Sequence, residues 1–153
     1  MYGIEDPRIV ASVRAYVKLM RASRAVTAQL EVRLTAAALT TTQLGVLEAL
    51  LHLGPLTQRS LTTKVLTSPG NMTDLIEKLE QRGLVSRCRV ETDRRNIAVG
   101  LTAEGQAFIG NLFPLHAGDI AEVMKTMSDA EIATLDTLLR RLGKAAASCN
   151  VKG

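Results

Sequence analysis

The stretch from Ser68 to Leu101 leaves the chain few choices of fold. Ser68 is a good N-cap and Pro69 suits a first helical position. Met72, Leu75, Ile76 and Leu79 then fall at i, i+3, i+4 and i+7, which predicts a helix with one apolar face. Gly83 ends it after Arg82. With Gly83 at C′, Leu84 and Leu79 form the hydrophobic contact of a Schellman closure. Val85 to Val90 reads as a short strand, Glu91 to Asn96 as a polar, charged tip, and Ile97 to Leu101 as a second strand. Ile97, Val99 and Leu101 share one face of that strand. The unit is a helix followed by a two-stranded hairpin with arginines at its tip.

The flanking sequence supplies more helices. From Pro7 to about Ala37, Ile9, Val13, Tyr16, Val17, Met20, Thr27, Leu30 and Leu34 recur at helical spacing. A helix of that length cannot bury its stripe alone and needs a partner. Thr40 to Gln43 is a capping box, with Leu39 and Leu44 as its hydrophobic staple. A second helix follows, turning Leu44, Leu47, Leu50 and Leu51 inward and stopping at Gly54-Pro55. Thr57 caps a short third helix that ends near Leu66. Two short helices joined by the turn Thr67-Ser68 make a helix-turn-helix, whose second helix is the one that enters a DNA groove. Beyond the hairpin, Thr102 caps a fifth helix whose apolar pattern runs on to Met127, with a kink expected at Pro114. Ser128 to Glu131 is a second capping box, and it opens a sixth helix carrying Ile132, Leu135, Leu138, Leu139 and Leu142. The tail from Ser148 reads as frayed.

The fold class is therefore mainly α with a small antiparallel β-hairpin: a winged helix-turn-helix at 39–101, flanked by helical regions at 1–38 and 102–153. Those flanks carry more apolar face than the central module can cover, which predicts a homodimer built from terminal helices. Aromatic residues make up 3% of the chain and Trp is missing, so stacking on single-stranded nucleic acid is disfavoured. The net charge of +4 is uneven: eight Lys/Arg face five Asp/Glu between Arg59 and Arg95, whereas acids slightly outnumber bases from Asn96 onward. The basic excess thus coincides with the helix-hairpin unit and points to double-stranded DNA. Two cysteines without metal spacing, no leader-like opening and no run near the ~20 apolar residues of a membrane span predict a cytoplasmic chain away from the membrane. Paired carboxylates, a Ser/His/Asp set and a Gly-rich phosphate loop are all missing at useful spacing. No catalytic residues, metal ligands or cofactors are expected, and the chain does not read as an enzyme.

Gly83-Leu84-Val85-x-Arg87, then Asp93-Arg94-Arg95, then Leu101-Thr102-x-x-Gly105 occur in order behind the capped helix. This set resembles the MarR family of bacterial transcription regulators over nearly the whole chain. The resemblance implies a dimeric winged helix-turn-helix protein, usually a repressor, on a pseudo-palindromic operator. It also implies release of the DNA by a small, often phenolic, ligand or by an oxidant.

Residue by residue, Asn71 and Thr73 are expected to reach base edges, with Gly70 allowing close approach and Ser68 serving a phosphate as well as capping. Asp74 and Glu77 share that face and fit a phosphate surface poorly. Arg94 and Arg95 suit a narrow minor groove, and the family's Asp-x-Arg pattern makes Asp93 their buttress. Arg87, Arg89 and Lys78 are candidates for phosphate contacts. His116, just past Pro114, is a candidate for an effector pocket. Cys88 reads as a buried structural thiol. Two alternatives keep the fold: an oxidant sensor using Cys88, and a winged-helix module for protein contacts alone.

Overall fold

A computed structural model describes residues 5–65, 67–90 and 93–148, with the backbone alone at residues 89, 90 and 93–96. Side-chain caps set where the helices start. Asp6 accepts from the amides of Arg8 and Ile9 ahead of α1 (Pro7–Ala36). Thr40 and Gln43 exchange both bonds of the capping box that opens α2 (Thr41–Leu53). Thr57 Oγ1 accepts from Ser60 N at the start of α3 (Gln58–Val65), and Ser68 Oγ accepts from Asn71 N at the start of α4 (Pro69–Gln81). Thr102 opens α5 (Ala103–Met124) by accepting from Gly105 N. The apolar stripe of α4 behaves as its spacing requires: Met72, Leu75, Ile76 and Leu79 are all buried.

Those residues share one core with Leu34 of α1, Leu44, Leu47 and Leu50 of α2, Leu61 of α3 and Ile109 of α5. The helix-turn-helix is therefore held from several sides by apolar burial, the dominant favourable term in folding. The closure after α4 is a full Schellman motif: Leu84 N donates to Leu79 O at 3.0 Å and Gly83 N to Glu80 O at 2.8 Å, with Gly83 at φ 69°.

The hairpin departs from expectation in three ways. Its two strands are joined by a third. Leu56 and Thr57 form β1, which pairs with Val99 and Ala98, so the sheet order is β1-β3-β2, with β2 at Val85–Val90 and β3 at Asp93–Leu101. Two residues ahead of a helix carry no strand periodicity, and only the distant β3 makes them a strand. Next, β3 starts at Asp93, not Ile97. Arg89 pairs with Ile97 but Val90 pairs with Asp93, so Arg94, Arg95 and Asn96 stand on β3 with no residue of β2 opposite them. They belong to a bulged strand, which bends and re-aims its side chains, and not to the turn itself; the expected tip residues Glu91 and Thr92 lie outside the described residues. Finally, Ile97 is 58% exposed whereas Val99 is buried, because the core reaches only the root of the hairpin.

Two compact units divide the chain, 1–117 and 118–153. In the first, α1 leaves Ile9, Val13, Tyr16, Val17 and Met20 exposed. In the second, α6 (Asp129–Ser148) leaves Leu138, Leu139 and Leu142 exposed. Pro114 is carried inside α5, which ends at Met124, short of the expected Met127. Ser128 and Glu131 form the predicted box at the start of α6. The bonds to Ser128, its backbone amide first, hold the Glu131 carboxyl below its usual 4.5. Among the described residues no single helix is long and apolar enough to cross a membrane.

Gly105 is the most tightly packed of the described glycines. A Cβ there would lie 1.8 Å from the Leu84 carbonyl oxygen. Gly105→Ala should cost about 3 kcal/mol or more, since that neighbour is backbone and cannot turn aside; urea unfolding measures it. Glu131 supplies a pH-dependent contrast. Its lowered pKa makes the α6 cap complete above pH 4.5 and lost as pH falls through the folded value. The helicity difference between the parent and Glu131→Gln, read by circular dichroism, should therefore be present at neutral pH and vanish in acid.

Candidate nucleic-acid interface

α4 has two faces. The buried one fixes it in the core. The other presents Gly70, Asn71, Asp74, Glu77, Lys78 and Gln81 outward. Five residues singled out from the sequence lie here, and their environments differ. The Ser68 hydroxyl is taken up in capping. Asn71 and Lys78 line a cleft of about 290 Å³ beside the start of α2, together with Thr40, Thr42, Thr67 and Asp74. Gly70 has nothing within 4 Å of an ideal Cβ and an ordinary negative φ. The protein's own packing therefore gives no reason for glycine there. Thr73 is half-buried and already engaged: its Oγ1 donates to Pro69 O at 3.2 Å and accepts from Gln58 Nε2 at 2.6 Å. It ties α3 to α4, a role its sequence position did not reveal.

The wing is braced from α4. Glu80 Oε2 pairs with Arg87 Nη1 at 2.8 Å, and Glu80 Oε1 accepts from the Arg87 amide at 3.2 Å. Arg87 is thus anchored to the end of α4 while remaining 40% exposed. At Asp93, Arg94 and Arg95 the backbone lies in the bulged part of β3; the expectations about their side chains fall outside the described residues. Cys88 is half-buried, not buried, with Sγ 3.6 Å from Ala98 O. It sits on the sheet between the core and the open end of the hairpin, so only part of the side chain is covered. Cys149 lies outside the described residues.

Sequence reasoning passed over part of this surface. Gln58, Arg59, Thr62 and Thr63 of α3 line a second open cleft against Pro69. Thr57, the N-cap, was the available signal, because it places Gln58 and Arg59 on the first turn. Away from this face, His116 is 6% exposed, and its Nδ1 is shut off from solvent without a hydrogen-bond partner among the described residues. His52 meets Phe113 edge-on at 5.2 Å.

Two helices, α3 and α4, joined across a short turn and followed by a hairpin braced on α4 make a winged helix-turn-helix. The model of the MarR family matches residues 39–97. The HTH-type transcriptional regulator MhqR of Bacillus subtilis is 30% identical over 86% of this chain and 91% of its own length. The chain belongs to the MarR family. It is a transcriptional regulator and not an enzyme. Two solved structures have the same fold. AbsC, a MarR family transcriptional regulator from Streptomyces coelicolor, superposes with a TM-score of 0.80 at 22% identity, covering 88% of this chain and 93% of AbsC. Bordetella bronchiseptica BpsR, whose DNA binding is regulated by 6-hydroxynicotinic acid, does so at 0.76 and 24% identity, covering 85% and 98%.

Two substitutions on α4 separate surface from scaffold in this MarR protein. Gly70→Ala should leave stability unchanged or raise it by up to about 1 kcal/mol, because alanine is the better helix former. Thr73→Val should lower it by about 1 kcal/mol through loss of the Gln58 bond. Urea unfolding of both reads the difference.

Proposed function

We propose that this MarR protein is a homodimeric repressor that reads a pseudo-palindromic double-stranded operator and is released by a small hydroxylated aromatic ligand. The observation that carries the DNA-reading part is Gly70. It is a helical glycine on an exposed face with open space where a side chain would be. Gly110, Gly118 and Gly143 share that open space, but Gly70 alone of these stands in the first turn of α4, beside Asn71, where a recognition helix meets DNA and close approach of its backbone gives glycine a use. In this reading region 39–101 is the DNA-binding domain. Asn71 takes base edges, and Ser68, Lys78 and Arg87 take phosphates. Thr73, its hydroxyl partly engaged by Gln58, contributes through its methyl group. Arg94 and Arg95 enter the minor groove with Asp93 supporting them.

Regions 1–38 and 102–153 make the dimer. Its support is the exposed apolar run of α1, where Tyr16 is 63% exposed, and the leucines that α6 leaves uncovered. The ligand part is supported by His116. An unsatisfied buried polar atom costs about 1–3 kcal/mol, and a ligand hydroxyl or carboxyl meeting Nδ1 relieves it. The likeness to BpsR makes 6-hydroxynicotinic acid a suitable first probe.

Sedimentation at micromolar concentration should give a dimer; a stable monomer defeats that part. Asn71→Ala should cost on the order of 1–3 kcal/mol of operator binding and relax preference at one or two base pairs. Gly70→Ala should weaken binding although it does not weaken the fold. Arg94→Ala with Arg95→Ala should leave melting unchanged, lower affinity across many DNA sequences and reduce the salt slope by about one unit for each lost phosphate contact. An unchanged slope in the folded double variant removes the wing from the interface. His116→Ala should keep operator affinity but lose release by hydroxylated aromatic acids; retained release would remove His116 from the effector site.

A further inference from the structure

Arg82, the C-cap of α4, extends away from the helix it ends. Its Nη1 donates to Ala38 O at 2.6 Å and its Nη2 to Ala37 O at 3.1 Å. Its Cζ lies 5.5 Å from the centroid of the Phe108 ring on α5. Ala37 is the C-cap of α1, and Ala38 has φ 52°, in the left-handed region that favours glycine. One guanidinium thus covers two carbonyls at the negative end of a 30-residue helix and lies on a third helix. A planar fork on two successive carbonyls fixes direction as well as distance, which a point-like ammonium does not.

We propose that Arg82 is a positioning residue for DNA recognition. It fixes the angle of α4 and the attached hairpin to α1, and thereby the separation of the two reading helices in the dimer. This rests on the reading of α4 as the DNA-contacting helix and of α1 as a dimer helix. Leverage makes the contact consequential. The 13 residues of α4 span about 20 Å at 1.5 Å each. The proposed base contacts lie at the far end from Arg82. A tilt of about 10° at Arg82 moves the first turn by roughly 3.5 Å, which is about one base step along a strand. Loss of Arg82 therefore acts on half-site spacing, whereas the choice of bases within a half-site stays with the outward face of α4.

The test uses Arg82→Met and Arg82→Lys, each also combined with Ala38→Gly, which relieves the left-handed alanine and supports the end of α1 without the guanidinium. An operator is selected with the parent protein. Binding is then measured on that operator and on versions with one base pair inserted or removed between half-sites. Base preference within one half-site is measured alongside, with sedimentation and melting as controls. The expected result is a folded, dimeric Arg82→Met that keeps its base preference but loses at least tenfold of the parent's discrimination against altered spacing. Arg82→Lys should fall between, and Ala38→Gly should restore melting without restoring spacing discrimination. Unchanged spacing discrimination in the folded Met variant overturns the proposal. So does joint loss of spacing and base preference, which marks local damage to α4, and so does unfolding that persists with Ala38→Gly, which makes Arg82 a fold residue. A parent that selects no operator, or that sediments as a monomer, brings down the underlying reading, and the proposal with it.

Discussion

The close packing of Gly105 on the Leu84 carbonyl governs how α4 and the wing are joined. That carbonyl also accepts from Thr102 N at 3.1 Å. The Thr102 hydroxyl donates to Gly83 O at 2.6 Å and accepts from Gly105 N at 2.9 Å. Four element ends meet in this knot: the close of α4, the start of β2, the end of β3 and the start of α5. Backbone groups freed at those ends satisfy one another, so a buried junction leaves none of these polar groups stranded. Glu80 adds a second tie from α4 to β2 through Arg87. α4 and the root of the hairpin are consequently tied to each other at two separate points.

What could be read in the sequence was what local chemistry decides. The caps at Thr40, Thr57, Ser68, Thr102 and Ser128 depend on groups within three residues. The burial of Met72, Leu75, Ile76 and Leu79 follows from helical spacing, and the closure at Gly83 from the need for positive φ. What stayed hidden depends on partners far along the chain. β1 exists only because Val99 and Ala98 come alongside Leu56 and Thr57. Thr73 looked like an outward contact until Gln58, fifteen positions earlier, claimed its hydroxyl. Gly105 was visible as part of a motif, but its reason, a carbonyl too close for any Cβ, is a distance and not a pattern. The bulge at Arg94 to Asn96 was missed because a polar, charged run gives the same composition in a turn and in an irregular strand.

The end of α1 shows strain held by packing. Leu39 N donates to Leu34 O and Ala38 N to Thr35 O, the pattern of a Schellman closure, but with alanine where glycine is usual. A left-handed alanine costs about 1–2 kcal/mol. Leu34 and Leu39, both buried, hold the turn from inside, and the Arg82 fork holds its carbonyls from outside. Where two restraints from different elements converge on a strained residue, the residue reports on the relative placement of those elements.

The acidic residues on the outward face of α4 are the feature that fits a phosphate surface least well, and their placement gives them a role on the DNA-binding reading. Asp74 lines the same cleft as Asn71 and Lys78, while Glu77 is exposed one turn short of Gln81. Non-specific affinity comes almost entirely from phosphate neutralisation and counterion release. Carboxylates beside the reading residues reduce that term on every sequence alike. A cytosine amino group offered to Asp74 or Glu77 returns part of the loss only where the base is right. On that reading, negative charge on this face would lower total affinity and raise the ratio of specific to non-specific binding, the quantity that matters when a regulator must find one operator among many competing sites. The net charge of +4 is accordingly less informative than its distribution: on the proposed reading, bases on α3 and the wing would hold the duplex and the mixed face of α4 would decide where.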